Sequence, residues 1–511
     1  MKKAIIEKIG KLDNSKPDYQ IPSDGLTTAD NVVYRHDCYV TADGYSQFFA
    51  TPIIPYHVKN IFFGGVSYWI TLGLAAAYIY DGSTNTNITR TAGAYTGTTI
   101  DKWTSCNING VPVFNNFADV PQYFSPISTA TDLQNLTAWT STWRAKVVRS
   151  YKSFLIALYI TKSGSLYEHM VKWSDVADSG TVPASWDETD PTVLAGENEL
   201  SETDGVIVDG LSLGDEFFIY KEDAVYGMAF IGAPNVFRFR RVRNMPGLFA
   251  QQCVVQFIGG HFAISGTANR MFYINDGQAY TEVGYEVSDE FFSQVDSDNY
   301  RNTFCVHNAS SNEIYICFPS SGSVFCNKAY IWNYEHDRWT TRDIPEWCTH
   351  ADVGVVIDTA YTWETIPYTS WNEWNGNWET RNYSATSEKL VFSNTYQYVY
   401  RFGDGNQFNG VNPVCTVEKT GTSLGHNFTV SKLSNIYIHA SGNPFNVYVG
   451  TSSGPGQSVS WSTPVSFDPS TDYKVNVNGT GILIGLRFQS NANVQWKLYG
   501  YDIEYREGGK R

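Results

Sequence analysis

The sequence predicts an all-β protein: a β-propeller of six or seven blades, a C-terminal β-sandwich or platform domain, and few short helices. Three observations lead there. Aromatic residues make up 15% of the 511 residues and Gly contributes 42, while runs of Ala, Leu, Glu and Lys that fill helices are nearly absent; this is the composition of strands and turns. Alternating apolar strands come in pairs around short polar corners. These units return roughly every 45 to 70 residues, close to the spacing of propeller blades. A blade cannot bury its faces alone, so several must pack side by side.

The elements follow in order. Residues 1–49 read as an N-terminal segment whose strands join the propeller or the platform. Within 50–410, VSYWITLG precedes AAYIYDGST, GVPVFNN precedes PQYFSP, and SFLIALYIT precedes HMVKWSDVAD. DEFFIYKEDAVYGMAF is a hairpin with its corner at Lys221-Glu222-Asp223, and HFAISGTANRMFYINDGQAY turns at Asn275-Asp276-Gly277. EIYICFP, AYIWNY and WTTRDIP surround the polar corner Glu335-His336-Asp337-Arg338, and EKLVFSNTYQYVYRFGDGN comes last. The one good helix candidate is Ser288 to Tyr300, with Ser288 as its cap and Phe291, Phe292 and Val295 on one face. Residues 411–511 change rhythm to a run of alternating strands, read as a separate sandwich.

Composition also narrows function. A chain 42% hydrophobic and 17% charged builds a core and is not disordered. Its net charge of −15 makes a poor trap for nucleic acid, whose binding rests on Lys and Arg neutralising phosphates. The eight Cys form no CxxC pair and read as buried thiols. The start has no apolar core long enough for a signal peptide, and no run is long enough to span a bilayer, so folding in a reducing cytoplasm is expected.

Catalytic signatures are scarce. The nine His are dispersed with no HExxH or paired Cys/His spacing, and there is no phosphate-cradling Gly loop. GLSLG around Ser212 and GTSLG around Ser423 are followed by strand-like sequence, where a nucleophile elbow needs a helix; both read as turns. The His336-Asp337 pair sits in a hairpin corner, a place that favours a structural role. No cofactor and no metal site is expected. FRFRRVR is the one basic cluster. At strand period, Arg238 and Arg240 share a face with Val242, and Arg241 and Arg243 share the other with Phe237 and Phe239. These four arginines suit DNA phosphate or an acidic protein surface, or an edge strand guarded by charge. The stretch YTWETIPYTSWNEWNGNWET places Trp371, Trp374 and Trp378 as candidates for a protein interface or a sugar platform.

Several segments, taken in order, carry a resemblance: ADNVVYRHDCYVTADGYSQF, then GLSLGDEFFIYKEDAVYGMAF, PNVFRFRRVRNMPGLFAQQCVVQFIGGHFAISGTANRMFYINDGQAYTEVG, IWNYEHDRWTTRDIP, the Trp-rich stretch with YQYVYRFGDGN, and GYDIEYREGGKR. Together they resemble the tail hub or nozzle proteins of short-tailed phages, the group that includes packaged-DNA stabilisation proteins. The resemblance covers most of residues 20–508 and implies a propeller joined to a β-rich platform, with six copies in a ring that closes the tail tube. It implies a structural virion protein and no enzyme, made in the host cytoplasm. Its expected partners are itself as a homohexamer, the head-to-tail adaptor ring, a tail fibre or needle or gate protein, and double-stranded DNA in transit. The resemblance transfers no site residues. The alternative expectation is a carbohydrate-binding propeller of a phage tail, with the Trp cluster as receptor platform.

Overall fold

The computed structural model describes residues 2–125, 132–266, 270–356, 388–425 and 429–510. The protein is all-β, of propeller type, and divides into two compact units: residues 47–245 with 348–402, and residues 1–46 with 246–347 and 403–511. Seven four-stranded antiparallel sets stand among the described residues, six of them meanders continuous in sequence. No described helix is long and apolar enough to cross a membrane.

The first unit holds five sets. Blade 1 runs His57–Phe63, Val66–Leu72, Ala77–Tyr80 and Asn85–Asn87. Blade 2 runs Thr104–Ile108, Val111–Asn115, Gln122–Tyr123 and Gln134–Asn135. Blade 3 runs Trp143–Tyr151, Phe154–Lys162, Ser165–Trp173 and Gly196–Glu199. Blade 4 runs Ile207–Leu213, Glu216–Lys221, Val225–Phe230 and Phe237–Val242. Blade 7 combines the later half of Arg338–Val355 with Glu388–Asn394, Tyr398–Phe402 and the N-terminal strand Tyr45–Ala50.

The core of this unit lies between blades, as two-faced burial requires. Ile70, Ile79, Trp103 and Phe114 fill the space between blades 1 and 2. Val148, Leu155, Trp139 and Trp186 do so between 2 and 3, and Ile156, Trp173, Ile219 and Phe237 between 3 and 4. Phe49, Val58, Trp69 and Val391 join blade 7 to blade 1.

The corners are acidic because carboxylates close the turns. Asp81 accepts from the amides of Ser83 and Thr84 at 2.8 and 2.7 Å, and Asp276 from those of Gln278 and Ala279 at 2.8 and 2.7 Å. The Ala279 and Gln278 amides hold the Asp276 carboxyl below its usual range.

The second unit holds blade 5 (Val254–Phe257, Gly260–Ser265, Met271–Asn275, Tyr280–Val283) and blade 6 (Phe304–Asn308, Glu313–Phe318, Cys326–Asn333 and the early half of Arg338–Val355). The helix between them is Tyr285–Gln294. Its start corrects the sequence expectation: Gly284, at φ 63°, is the cap, and Ser288 lies buried inside the helix with its hydroxyl turned back to the Tyr285 carbonyl. Only Gly enters the left-handed region without cost, and a Cβ at 284 would meet Trp339 at 2.4 Å. The helix ends at Gln294 because Val295 is extended.

The C-terminal residues were expected to make their own sandwich over 411–511. They group with residues 1–46 and 246–347, and two sheets of this unit each enlist strands of the N-terminal segment that was expected to join the propeller or the platform. Trp496–Lys510 pairs with Thr429–Gly442, with Lys2–Ile6 and with Cys38–Thr41. Cys415–Thr422 pairs with Thr28–Asp30, which also runs parallel to blade 6 through Asp30 and Thr341. Phe445 and Phe488 of one sheet pack on Trp496 and Tyr501 of the other, with ring centroids 5.1 and 5.3 Å apart. The Arg35 guanidinium spans Glu313 at 2.8 and 3.1 Å and Asp43 at 2.6 Å, which ties the N-terminal strands to blade 6. All eight Cys are free thiols, and all except the half-buried Cys106 are buried.

Candidate functional site

Blades 2, 3 and 4 place their first strands side by side, and a belt of polar contacts runs from blade 7 through blades 1, 2 and 3 to blade 4. In blade 7, Asp352 accepts from the Lys59 ammonium at 3.1 Å and from the Asn60 amide of blade 1 at 2.8 Å. The Val58 amide donates to Nδ1 of His350 at 3.4 Å. Nε2 of His57 lies 2.9 Å from the Ser105 hydroxyl of blade 2. The Ser105 carbonyl accepts from Arg149 of blade 3 at 3.1 Å. Arg149 then grips Asp209 of blade 4 with two parallel bonds of 2.9 and 2.8 Å. Asp209 has no side-chain exposure. Each member therefore reaches across to a neighbouring blade.

The electrostatics are those of a joint. Burial drives the His57 imidazole well below its usual value, helped by His350, Lys59 and Arg149. Burial, with Lys59 and Lys102, brings His350 down to about 3. Both rings are neutral at pH 7. Burial would lower the Arg149 guanidinium, but Asp209 raises it further, so the guanidinium stays charged. Ser105 beside His57 has the outline of a nucleophile and its base. Among the described residues the orienting acid is missing: Nδ1 of His57 is buried with no hydrogen-bond partner there. An imidazole this reluctant to take a proton is also a poor base.

The arginine strand Phe237–Val242 is the edge strand of blade 4. Its register with Val225–Phe230 is unbroken, so the expected two-face alternation holds. Phe237 points inward, edge-on to Phe154 and Trp173 with centroids 5.1 and 5.2 Å away. Arg240 is taken by Glu216 through bonds of 3.0 and 2.5 Å. Arg238, Arg241 and Arg243 are exposed and make no hydrogen bond or ion pair among the described residues. The candidates thus divide: Arg240 is structural, and three cations remain for contact.

The corner at 335–338 is a hairpin turn, with Asp337 at φ 50°. Asp337 accepts from the Trp332 indole at 3.1 Å and pairs with Lys11; Glu335 accepts from Asn312 at 2.8 Å. The His336 ring sits edge-on to Tyr34 at 5.4 Å. Its acids are spent on holding the turn. Ser212 lies in the strand Ile207–Leu213 of blade 4, opposite Phe217, and not in the turn expected there; a second strand and no helix follows it, so the segment forms no nucleophile elbow. Trp371, Trp374 and Trp378 lie outside the described residues. The belt itself escaped sequence reasoning, because its members are scattered over five strands with nothing but a polar residue in a strand to mark each.

No family model matches the chain, and no curated protein matches it. Among solved structures it is similar to the computationally designed Ika8 protein, at 8% identity over 70% of this chain and 99% of that one, with a TM-score of 0.37. It is similar to the WD40 β-propeller domain of Doa1, at 8% identity over 70% and 97%, with a TM-score of 0.40. It is also similar to PorZ, an essential surface component of the type-IX secretion system of Porphyromonas gingivalis, at 9% identity over 84% and 46%, with a TM-score of 0.37. At these scores the likenesses say nothing of what the chain does.

Proposed function

We propose that this chain is a structural virion protein, a tail nozzle or hub whose six copies form a ring that extends the tail tube, retains packaged DNA and conducts it during ejection. The observation that carries this reading is the edge strand of blade 4. Arg238, Arg241 and Arg243 stand exposed, and unpaired among the described residues, on a chain of net charge −15. A cationic edge on an acidic body suits contact between like copies, each offering what the next one lacks. The ordered resemblance to nozzle proteins supports the same reading. So does the belt, whose ionisable groups serve as joints between blades. An acidic wall suits DNA in transit, because a phosphate-binding wall would slow its passage. On this reading the protein is no enzyme; its neighbours are an adaptor ring and a fibre, needle or gate protein.

Deletion from a phage genome encoding this chain tests the reading. Heads should fill and then leak DNA; heads that stay full and infectious contradict it.

A further inference from the structure

Blades 3 and 4 end in open edge strands. Among the described residues, Phe237–Val242 pairs only with Val225–Phe230, and Gly196–Glu199 only with Ser165–Trp173. The Ile231 amide donates to the Val236 carbonyl at 3.0 Å, one step beyond the Phe230–Phe237 pair. Bonded and unbonded pairs alternate along an antiparallel ladder. The N–H and C=O of Phe237, Phe239 and Arg241 therefore point away from blade 4. In blade 3 the Leu200 amide donates to the His169 carbonyl at 2.8 Å, one step beyond the Glu199–Met170 pair. By the same alternation the backbone groups of Glu197 and Glu199 point outward. None of these outward groups bonds to another backbone group among the described residues. Each edge is thus a row of unmet donors and acceptors that an added strand can take up.

Charge is sorted between the two edges. Arg238 and Arg241 stand exposed on one, with Arg243 just past its end. The sequence from residue 173 to residue 220 carries twelve acidic residues and no Lys or Arg. Within it Glu199 is exposed on the blade 3 edge and Glu202 just past its end. Glu197 is already held by Lys162 and Lys172 of its own blade. The two blades pack face to face through Trp173 and Ile219, so in one chain their edges stand side by side and cannot add to each other.

We propose that the arginine edge of blade 4 receives the acidic edge of blade 3 from a second copy of the chain, strand to strand, with Arg238, Arg241 and Arg243 facing Glu199 and Glu202. Backbone bonds supply the attachment, and opposite charges across the new pair select the partner and its register. Each copy carries both halves of the contact. A nucleic acid is a poorer occupant, because its phosphates leave the outward N–H and C=O ladder unread and the acidic body repels it. The inference rests on reading the arginine edge as a contact between like copies and names the surface that edge meets.

Sedimentation of the full chain at low salt tests it, with two exposed-site variants: Arg241→Glu with Arg243→Glu, and Glu199→Lys with Glu202→Lys. Each variant alone should associate roughly tenfold or more weakly than the parent chain, since like charges then face each other. An equimolar mixture of the two should associate again, because each supplies the complement that the other needs. The chain carrying all four substitutions should do so as well. If the arginine variant loses association while the glutamate variant keeps it, or if the mixture stays apart, the proposal is overturned and the arginine edge still serves as a contact between copies through another surface. If the parent chain shows no arginine-dependent association, or shows it only with added duplex DNA, both the proposal and that reading fall.

Discussion

The imidazole rings of His57 and His350 lie against each other, centroids 3.9 Å apart and planes 36° from parallel, at the joint between blades 1 and 7. Both are held neutral by burial. An unfolded chain takes up protons at these positions near pH 6.5, whereas the native joint refuses them. Stability is therefore complete above about pH 6.5 and falls as the pH drops toward the native value of about 3 for His350. The slope approaches about 2.7 kcal/mol per pH unit where both histidines are protonated only in the unfolded chain. Hydrogen-exchange protection factors, corrected for the intrinsic pH dependence of exchange, should fall in the strands His57–Phe63 and Glu388–Asn394 at pH 5 relative to pH 7.5. His57→Gln should remove about half of the dependence; a profile unchanged by that substitution contradicts the assignment.

The Arg149–Asp209 pair should be costly to break and cheap to replace. Asp209→Asn leaves a guanidinium without its counter-charge and should destabilise the first unit by about 3–5 kcal/mol. The double substitution Arg149→Met with Asp209→Leu should recover most of that loss, because well-packed apolar groups avoid the desolvation cost. Urea titrations of the three variants check this.

Gly284→Ala should destabilise the second unit by about 1–3 kcal/mol, since the left-handed backbone resists a side chain and the new Cβ would strike Trp339. The lower stability should appear as early loss of protection in the helix Tyr285–Gln294.

Replacing Arg238, Arg241 and Arg243 together with Ser should leave the denaturant midpoint nearly unchanged, within about 0.5 kcal/mol, because none has a hydrogen-bond or ion-pair partner among the described residues. It should abolish the salt-sensitive part of self-association seen by sedimentation. Arg240→Ser should act the other way, lowering stability through the loss of Glu216.

Much of this fold was legible in the sequence because blade strands alternate strongly and their corners carry Asp, Asn and Gly. The corner at Asn275-Asp276-Gly277 reads directly as a turn, since the chemistry that closes it is local. The helix start was missed because Ser288 has the better capping chemistry, while Gly284 wins through a backbone conformation that packing against Trp339 demands. That strands of residues 1–49 would join the propeller or the platform was expected, but the pairing of Lys2–Ile6 and Cys38–Thr41 with Trp496–Lys510 was not legible, since no local pattern records which distant edge a strand will meet. The same holds for the belt: Val58 and His350 are 292 positions apart, and only the folded chain brings them together. The arginine strand was half legible. Its period fixed the two faces, but the capture of Arg240 by Glu216 depends on which strand became its neighbour.

The most direct test of the central claim is quantitative mass spectrometry of purified particles from a culture infected by a phage encoding this chain. The account predicts the chain at about half the copy number of the portal protein, the ratio of a sixfold ring seated below a ring of twice its order. Absence from the particles, or a copy number far above the portal's, would contradict it.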